Sequence, residues 1–294
     1  MLALAIGLVG VAAVGSSGQI PAGQLAGVRH YSGENVAPVF EGWEKNADGS
    51  FSFVFGYLNR NFKEELAVPV GPNNIVEPGG PDRCQPTYFL TRRHARLFRV
   101  RVPKDWGQKT LTWSITANGR TEKAYADLRL VEEINEQMIQ GGGNSQPFEP
   151  GNVNPNKPPS IAVMPPAAAS VSTPVTLTAN VTDDGLPLPP PPRAAPPPVV
   201  TTDPNGQLTR QLNGAGGGRG GFRGLTVNWF QYGGPAKVTF TSTGPVSVVN
   251  GVATMTARFA APGTYRLVAT ANDTRLSTKA DVTVTVRGAA PTQP

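Results

Sequence analysis

The chain has 294 residues, among them 34 glycines, 30 prolines and one cysteine, and a formal net charge of +6. That length accommodates two ordinary domains, each able to bury a core; the glycine and proline content excludes regular structure throughout, and one cysteine excludes any intrachain disulfide. The positive balance favours acidic surfaces but, with no Lys/Arg block, singles out no partner.

Residues 1–18, MLALAIGLVGVAAVGSSG, form an apolar run followed by small residues. This is the pattern of a secretory signal peptide, with cleavage expected between Ala13 and Ser17. The run is shorter than the roughly 20 residues of a spanning helix. An exported mature chain without a membrane span is therefore expected, in the periplasm, at the cell surface or outside the cell. The basic leader end is missing, so an N-terminal strand or buried helix is the alternative.

Between residues 35 and 133 the dominant period is two. Phe51, Phe53, Phe55 and Tyr57 share one face; Leu111, Trp113, Ile115 and Ala117 share another, with threonines and a serine between them. Phe98, Val100 and Val102 alternate with Arg99 and Arg101. Alternation of this kind predicts strands with one buried and one wet face, hence antiparallel sheets. NADGS at 46–50 and NG at 118–119 are hairpin turns, and a β-sandwich follows. The basic run Arg92, Arg93, His94, Arg96, Arg99 and Arg101 reads as a solvated outer face, and no nucleic-acid motif accompanies it. Cys84 lies in a polar loop, PGGPDRCQPT, as an incidental exposed thiol. The segments PVFEGWEKNADGSFSFVFGYLNRN and VPKDWGQKTLTWSI resemble the N-terminal region of a group of exported bacterial proteins, a resemblance that implies no activity.

Residues 134–159 include QGGGNSQPFEPGNVNPNKPP, the composition of a flexible, partly extended linker. Strand patterning returns over 160–287, before a tail at 288–294. Val175, Leu177, Ala179 and Val181 alternate, as do Leu225, Val227 and Trp229, and further strands follow with turns about every 8 to 12 residues. The expected fold is all-β: two antiparallel sandwiches joined by the Gly/Pro/Asn linker, the second of them Ig-like. Between its second and third strands, residues 185–224 carry nine prolines and nine glycines, too few packing side chains for a core, so a long disordered insertion is expected there.

Trp229 falls where Ig-like folds bury a tryptophan on the third strand, and Tyr265, after APG, where a tyrosine corner would bond back to its turn. The run APGTYRLVATANDTRLSTKADVTVTV resembles the closing strands of bacterial Ig-like and polycystic-kidney-disease (PKD) type modules. The resemblance implies an adhesive or spacing role in secreted and surface proteins. The Gly-Asp-Gly turn of the PKD type is absent from VNWFQYGGP, which favours the broader Ig-like label.

In such a fold the loops after the second and the penultimate strands emerge at one end, converging Asp183 and Asp184 with Asn272 and Asp273. That oxygen set suits calcium, the one cofactor suggested; the alternative is four ordinary turn residues. No H-E-x-x-H, G-x-S-x-G, phosphate loop or cysteine pair is present, and the two histidines lie far apart in sequence. The reading is a non-catalytic exported binding or scaffolding protein whose partner is an unidentified protein or a surface polysaccharide, not nucleic acid. The alternative is a carbohydrate-binding accessory protein using Trp43, Tyr57 or Trp106 as exposed stacking rings. A hydrolase built on the loop carboxylates stands third.

Overall fold

A computed structural model describes residues 30–134, 156–166, 168–188, 199–202, 208–211 and 224–288. The expected signal peptide, most of the linker and most of the insertion lie outside them.

The first half contributes β1 (Val36–Lys45), β2 (Phe51–Asn59), β3 (Leu66–Ala67), β4 (Asn74–Glu77), β5 (Tyr88–Phe89), β6 (Arg92–Val102), β7 (Leu111–Ala117) and β8 (Arg120–Ala126), then one 3-10 turn at Leu130–Glu132. Two three-stranded sheets, ordered β1-β2-β6 and β4-β7-β8, enclose the core, and β3 pairs with β5 at its side. Every strand-to-strand pairing among these is antiparallel, and one isolated parallel bridge joins Trp43 to Glu133. The β7–β8 hairpin turns on Asn118 and Gly119, both at positive φ (50° and 74°), the two-residue turn whose twist matches the strands. In the β1–β2 turn the Asp48 carboxylate accepts from the Ser50 N–H (3.1 Å) and hydroxyl (2.6 Å).

Phe53, Phe55, Tyr57, Phe98, Leu111, Trp113 and Ile115 form the core, as their alternation predicts. The Phe55 and Phe98 rings stack at 5.3 Å, and Trp113 meets Phe98 edge-on at 4.9 Å. The Trp113 indole N–H donates to Asn74 Oδ1 (2.9 Å), whose own amide donates to the carbonyls of Val68 and Pro86. A buried asparagine thus ties the loops to the aromatic centre with its polar groups satisfied. One expectation fails: β2 has no wet face, for Ser52 and Val54 are buried as well. The reason lies on its neighbours. Arg93, Arg99 and Arg101 of β6 pair with Glu41, Glu44 and Asp48 of the first hairpin across β2, and the hydrocarbon stems of such pairs cover what lies beneath.

The second half contributes β9 (Ser160–Met164), β10 (Ala169–Ser170), β11 (Val175–Thr182), β12 (Val199–Thr202), β13 (Leu208–Gln211), β14 (Thr226–Gly233), β15 (Val238–Phe240), β16 (Val246–Ser247), β17 (Val252–Phe259), β18 (Gly263–Asn272) and β19 (Ser277–Arg287). Its sheets run β15-β17-β11-β9 and β10-β19-β18-β14-β16, an Ig-like sandwich. One pairing departs from the antiparallel rule: β10 runs parallel to β19. Pro165 and Pro166, which cannot donate to a ladder, end β9 and let the first strand cross from one sheet to the other. Trp229 is buried, and the Tyr265 hydroxyl donates to the Ala261 carbonyl (2.7 Å), closing the tyrosine corner.

The insertion does leave the sandwich between β11 and β14. Within it, however, β12 and β13 form an antiparallel hairpin that joins neither sheet. The expectation of disorder throughout 185–224 is corrected at these eight positions. VVTT is a β-branched run flanked by turn formers, and local pairing needs no core.

Candidate functional site

The most built polar and apolar constellation outside the two cores is the seam where the halves meet. It starts from strand parity on β14. Val227 and Trp229 face the second core, so Phe230 and Tyr232, one position out of phase, face outward. An outward aromatic pair on a sheet must be covered or wet, and here it is covered. Tyr232 is 3% exposed and Val268 of the neighbouring β18 is 3% exposed; both belong to the core of the first sandwich, with Phe230 packed against it.

Polar contacts fix the register of this apolar contact. The Thr87 N–H donates to the Tyr232 carbonyl (3.0 Å), while the Thr87 carbonyl accepts from Val68 (2.9 Å). The Tyr232 hydroxyl donates to the Cys84 carbonyl (2.5 Å), and burial pushes that phenol's pKa up, keeping it a donor. Lys237 Nζ pairs with Glu65 (2.8 Å), whose other oxygen accepts from the Tyr88 hydroxyl (2.9 Å). Lys279 Nζ donates to the Arg96 carbonyl (2.7 Å); burial first, and then the Arg99 charge, pull its pKa down. Arg266 lies over the Tyr232 ring (4.4 Å to the centroid) and pairs with Asp281 (2.9 Å). Gly233 completes the fit, since a Cβ there would sit 2.6 Å from Thr87 Oγ1. Chemically the seam is a lock: a donor–acceptor set around a buried aromatic contact. Cys84 brings its carbonyl to it, while its thiol is free and the residue exposed.

The loop carboxylates do come together at one end of the second sandwich. Asp183 has its pKa raised, by burial first and then by the Asp184 and Asp273 charges. Their oxygens serve the backbone. Asp183 Oδ2 accepts from Gly185 N (3.1 Å), and Asp184 accepts from Leu186 N (3.0 Å) and Lys157 N (2.9 Å), bonds that hold its pKa low. Buried Asp273 accepts from Arg275 N and Leu276 N (both 2.6 Å) and from the Asn156 amide (3.0 Å), and Asn272 accepts from Thr274 N (2.8 Å). Successive residues 156 and 157 thus stitch the two loops at the point where the linker arrives. Among the described residues no three His, Cys, Asp or Glu side chains are grouped so as to hold a metal ion.

The three candidate sugar-stacking rings are corrected outright. Trp43, Tyr57 and Trp106 are 5%, 2% and 8% exposed and belong to the first core. The Trp43 and Trp106 indoles donate to the Arg129 (2.8 Å) and Lys109 (2.6 Å) carbonyls, and Tyr57 lies between Phe89 and His94. Their hydrocarbon completes a sandwich interior. An open cleft of about 460 Å³ lies between residues 66–73 and 116–118, with Leu66, Val68 and Ala117 among its lining and no ionisable side chain. Among the described residues no helix is long and apolar enough to cross a membrane.

The seam residues Glu65, Thr87, Phe230, Tyr232, Lys237, Val268 and Lys279 were not singled out by sequence, and Cys84 was read only as an exposed thiol. The signal existed in FQYGG: Phe230 and Tyr232 stand two apart on the face where Thr226 and Asn228 predict water.

No protein-family model matches the chain, and no curated protein does. Among solved structures, a conjugative transposon lipoprotein from Bacteroides eggerthii is 11% identical, spans 43% of this chain and 96% of its own, and has a TM-score of 0.26. The titin domains Z1Z2 in complex with telethonin are 11% identical over 86% of this chain and 98% of theirs, TM-score 0.25. The D00-D0 domain of intimin is 10% identical over 85% and 99%, TM-score 0.24.

Proposed function

We propose that this is a non-catalytic exported protein that binds or scaffolds at the cell surface or in the periplasm, and that it acts as one rigid two-sandwich unit. The observation that carries this reading is the seam. A flexible tether would leave two independent binding heads, whereas burial of Tyr232 and Val268 in the neighbouring core, with the Thr87–Tyr232 backbone bond, gives two surfaces a fixed relation. A preset spacing is what a scaffold contributes to an assembly, because the entropy of aligning its surfaces is lost on folding and not on binding. The ordered polar groups support the same reading: His94 packs on Tyr57 and shares a hydrogen bond with the Thr91 carbonyl, and the loop carboxylates cap turns.

The test is rotational dynamics by NMR relaxation on the full chain. Wild type is expected to show one overall correlation time for both sandwiches, and Tyr232→Ala to split them into two shorter ones while each keeps its dispersed spectrum. Independent tumbling in wild type would overturn the rigid unit. Export is tested by fractionation of cells expressing the full chain, where retention in the cytoplasm would overturn that part.

A further inference from the structure

At one end of the first sandwich the 60–65 turn meets the start of β6, and two aromatic rings are partly exposed there. Tyr31 is 56% exposed and Phe62 37%, their centroids 6.2 Å apart and their planes at 86°. Backbone bonds hold them: Phe62 N donates to the His30 carbonyl (2.8 Å), Lys63 N to the Tyr31 carbonyl (3.0 Å) and Arg60 N to the Asn35 carbonyl (3.1 Å). Each ring carries a cation. Lys63 Nζ lies 4.6 Å from the Tyr31 centroid and Arg92 Cζ lies 5.6 Å from that of Phe62.

A ring quadrupole positions a cation without neutralising it. That distinguishes Arg92 from its neighbours on β6, since Arg93, Arg99 and Arg101 each have a carboxylate partner. Among the described residues no carboxylate pairs with Arg60, Lys63 or Arg92. The nearby acids are engaged: Glu34 with His30 and Arg120, and Glu64 with the Gly33 N–H and the Asn118 amide. Arg92 is also held at φ 73°, a left-handed conformation unusual for a side chain of this size. Lys63 and Arg92 are thus set beside exposed hydrocarbon with no carboxylate partner among the described residues, and exposed Arg60 stands two residues before Phe62 on the same turn.

We propose that Arg60, Lys63, Arg92, Tyr31 and Phe62 form a binding site for an acidic polysaccharide. The carboxylates of its uronate units would be taken by the three cations, and the C–H faces of its pyranose rings would pack on Tyr31 and Phe62. The inference rests on the reading of the chain as a binding module and adds the ligand's chemistry. An acidic glycan combines charge and hydrocarbon on each unit, as this patch combines cation and ring. Three cations fall short of the about 4 to 8 clustered basic residues of anionic-lipid recognition, and the arginines that continue along β6 from Arg92, namely Arg93, Arg99 and Arg101, are paired with Glu41, Glu44 and Asp48 and so offer a nucleic-acid backbone little free charge.

The probe is polygalacturonate titrated against the full chain by calorimetry, beside dextran, phosphatidylglycerol vesicles and single-stranded oligonucleotide. Polygalacturonate is expected to bind with an affinity that falls as salt rises, and dextran not to bind. Lys63→Ala/Arg92→Ala should weaken binding about tenfold or more, and Tyr31→Ala should weaken it too, both with unchanged melting midpoints. Arg287→Ala, in the second sandwich, should leave binding intact. Absence of polygalacturonate binding, equal binding by the two variants with Lys63 or Tyr31 replaced, or equal capture of vesicles or oligonucleotide overturns the proposal. Relaxation data on the same samples keep this result separate from the rigid-scaffold reading, which stands if binding fails but both halves tumble together.

Discussion

Trp229 and His94 show how much a single position can be read for, and where reading stops. Alternation with Val227 was enough to place Trp229 inside, and Trp229→Ala is expected to lower stability by about 3 to 5 kcal/mol, as large aromatic deletions in cores do. What parity could not foresee is that the indole Nε1, buried, finds no acceptor among the described residues. Trp229→Phe should therefore cost much less than the alanine change, because the lost ring volume is partly offset by removal of an unsatisfied donor; denaturant unfolding of the two variants compares them directly. His94 was legible only as part of a basic strand. In the structure its ring stacks on Tyr57 (5.0 Å), and burial holds its pKa below the ordinary 6.5, opposed by the Thr91 carbonyl and reinforced by the Arg93 charge. The sign follows from linkage. As pH falls past 6.5 the unfolded chain takes up the proton first, so stability is lost until the folded ring also protonates, and it is fully retained above 6.5. Melting midpoints between roughly pH 7 and pH 5 should thus fall less steeply in His94→Gln than in wild type, and parallel profiles would assign the acid sensitivity to other groups.

Elements with a turn code and a clean period were legible, and those that depend on distant partners were not. The Asn118–Gly119 and Asp48–Gly49 turns and the ladders β11 and β18 all lie where local chemistry places them. The two-residue strands β3, β5, β10 and β16 carry too short a pattern to register, since each exists because a neighbouring strand offers a free edge. Composition misled at β12–β13, where surrounding proline and glycine hid a β-branched run. The carboxylates of the second and penultimate loops were expected at one end and do interact there, yet which backbone N–H groups they would accept from depended on residues 156 and 157 arriving beside them. Among the described residues of the insertion, β12 and β13 pair only with each other, while the strands that flank it pair within the sandwich, β11 with β9 and β17, and β14 with β18 and β16. Replacing residues 189–223 by a short glycine–serine bridge is expected to leave the melting midpoint unchanged or to raise stability by on the order of 1 kcal/mol, since loop-closure entropy grows only with the logarithm of length. A fall of several degrees would mean that the hairpin contributes to the fold.

Across the whole molecule the decisive feature was half visible. Two sandwiches could be counted from period and turns, and Phe230 and Tyr232 stood on the wrong face of their strand for a module that faces water. A hydrophobic pattern announces that a surface is covered but carries no information about what covers it, and the loop that does so, residues 84–89, offers nothing in its own composition to suggest the role. The linker's flexible composition pointed toward independent heads, whereas contacts far from the linker determine how the halves are joined. This has a practical bearing on any attempt to treat the second half as a portable building block. Lifted out of its chain, it would carry a bare oily stripe of Phe230, Tyr232 and Val268 along one sheet and would be prone to clump with its own kind. To travel alone, it would first have to be repainted at those three positions with polar side chains.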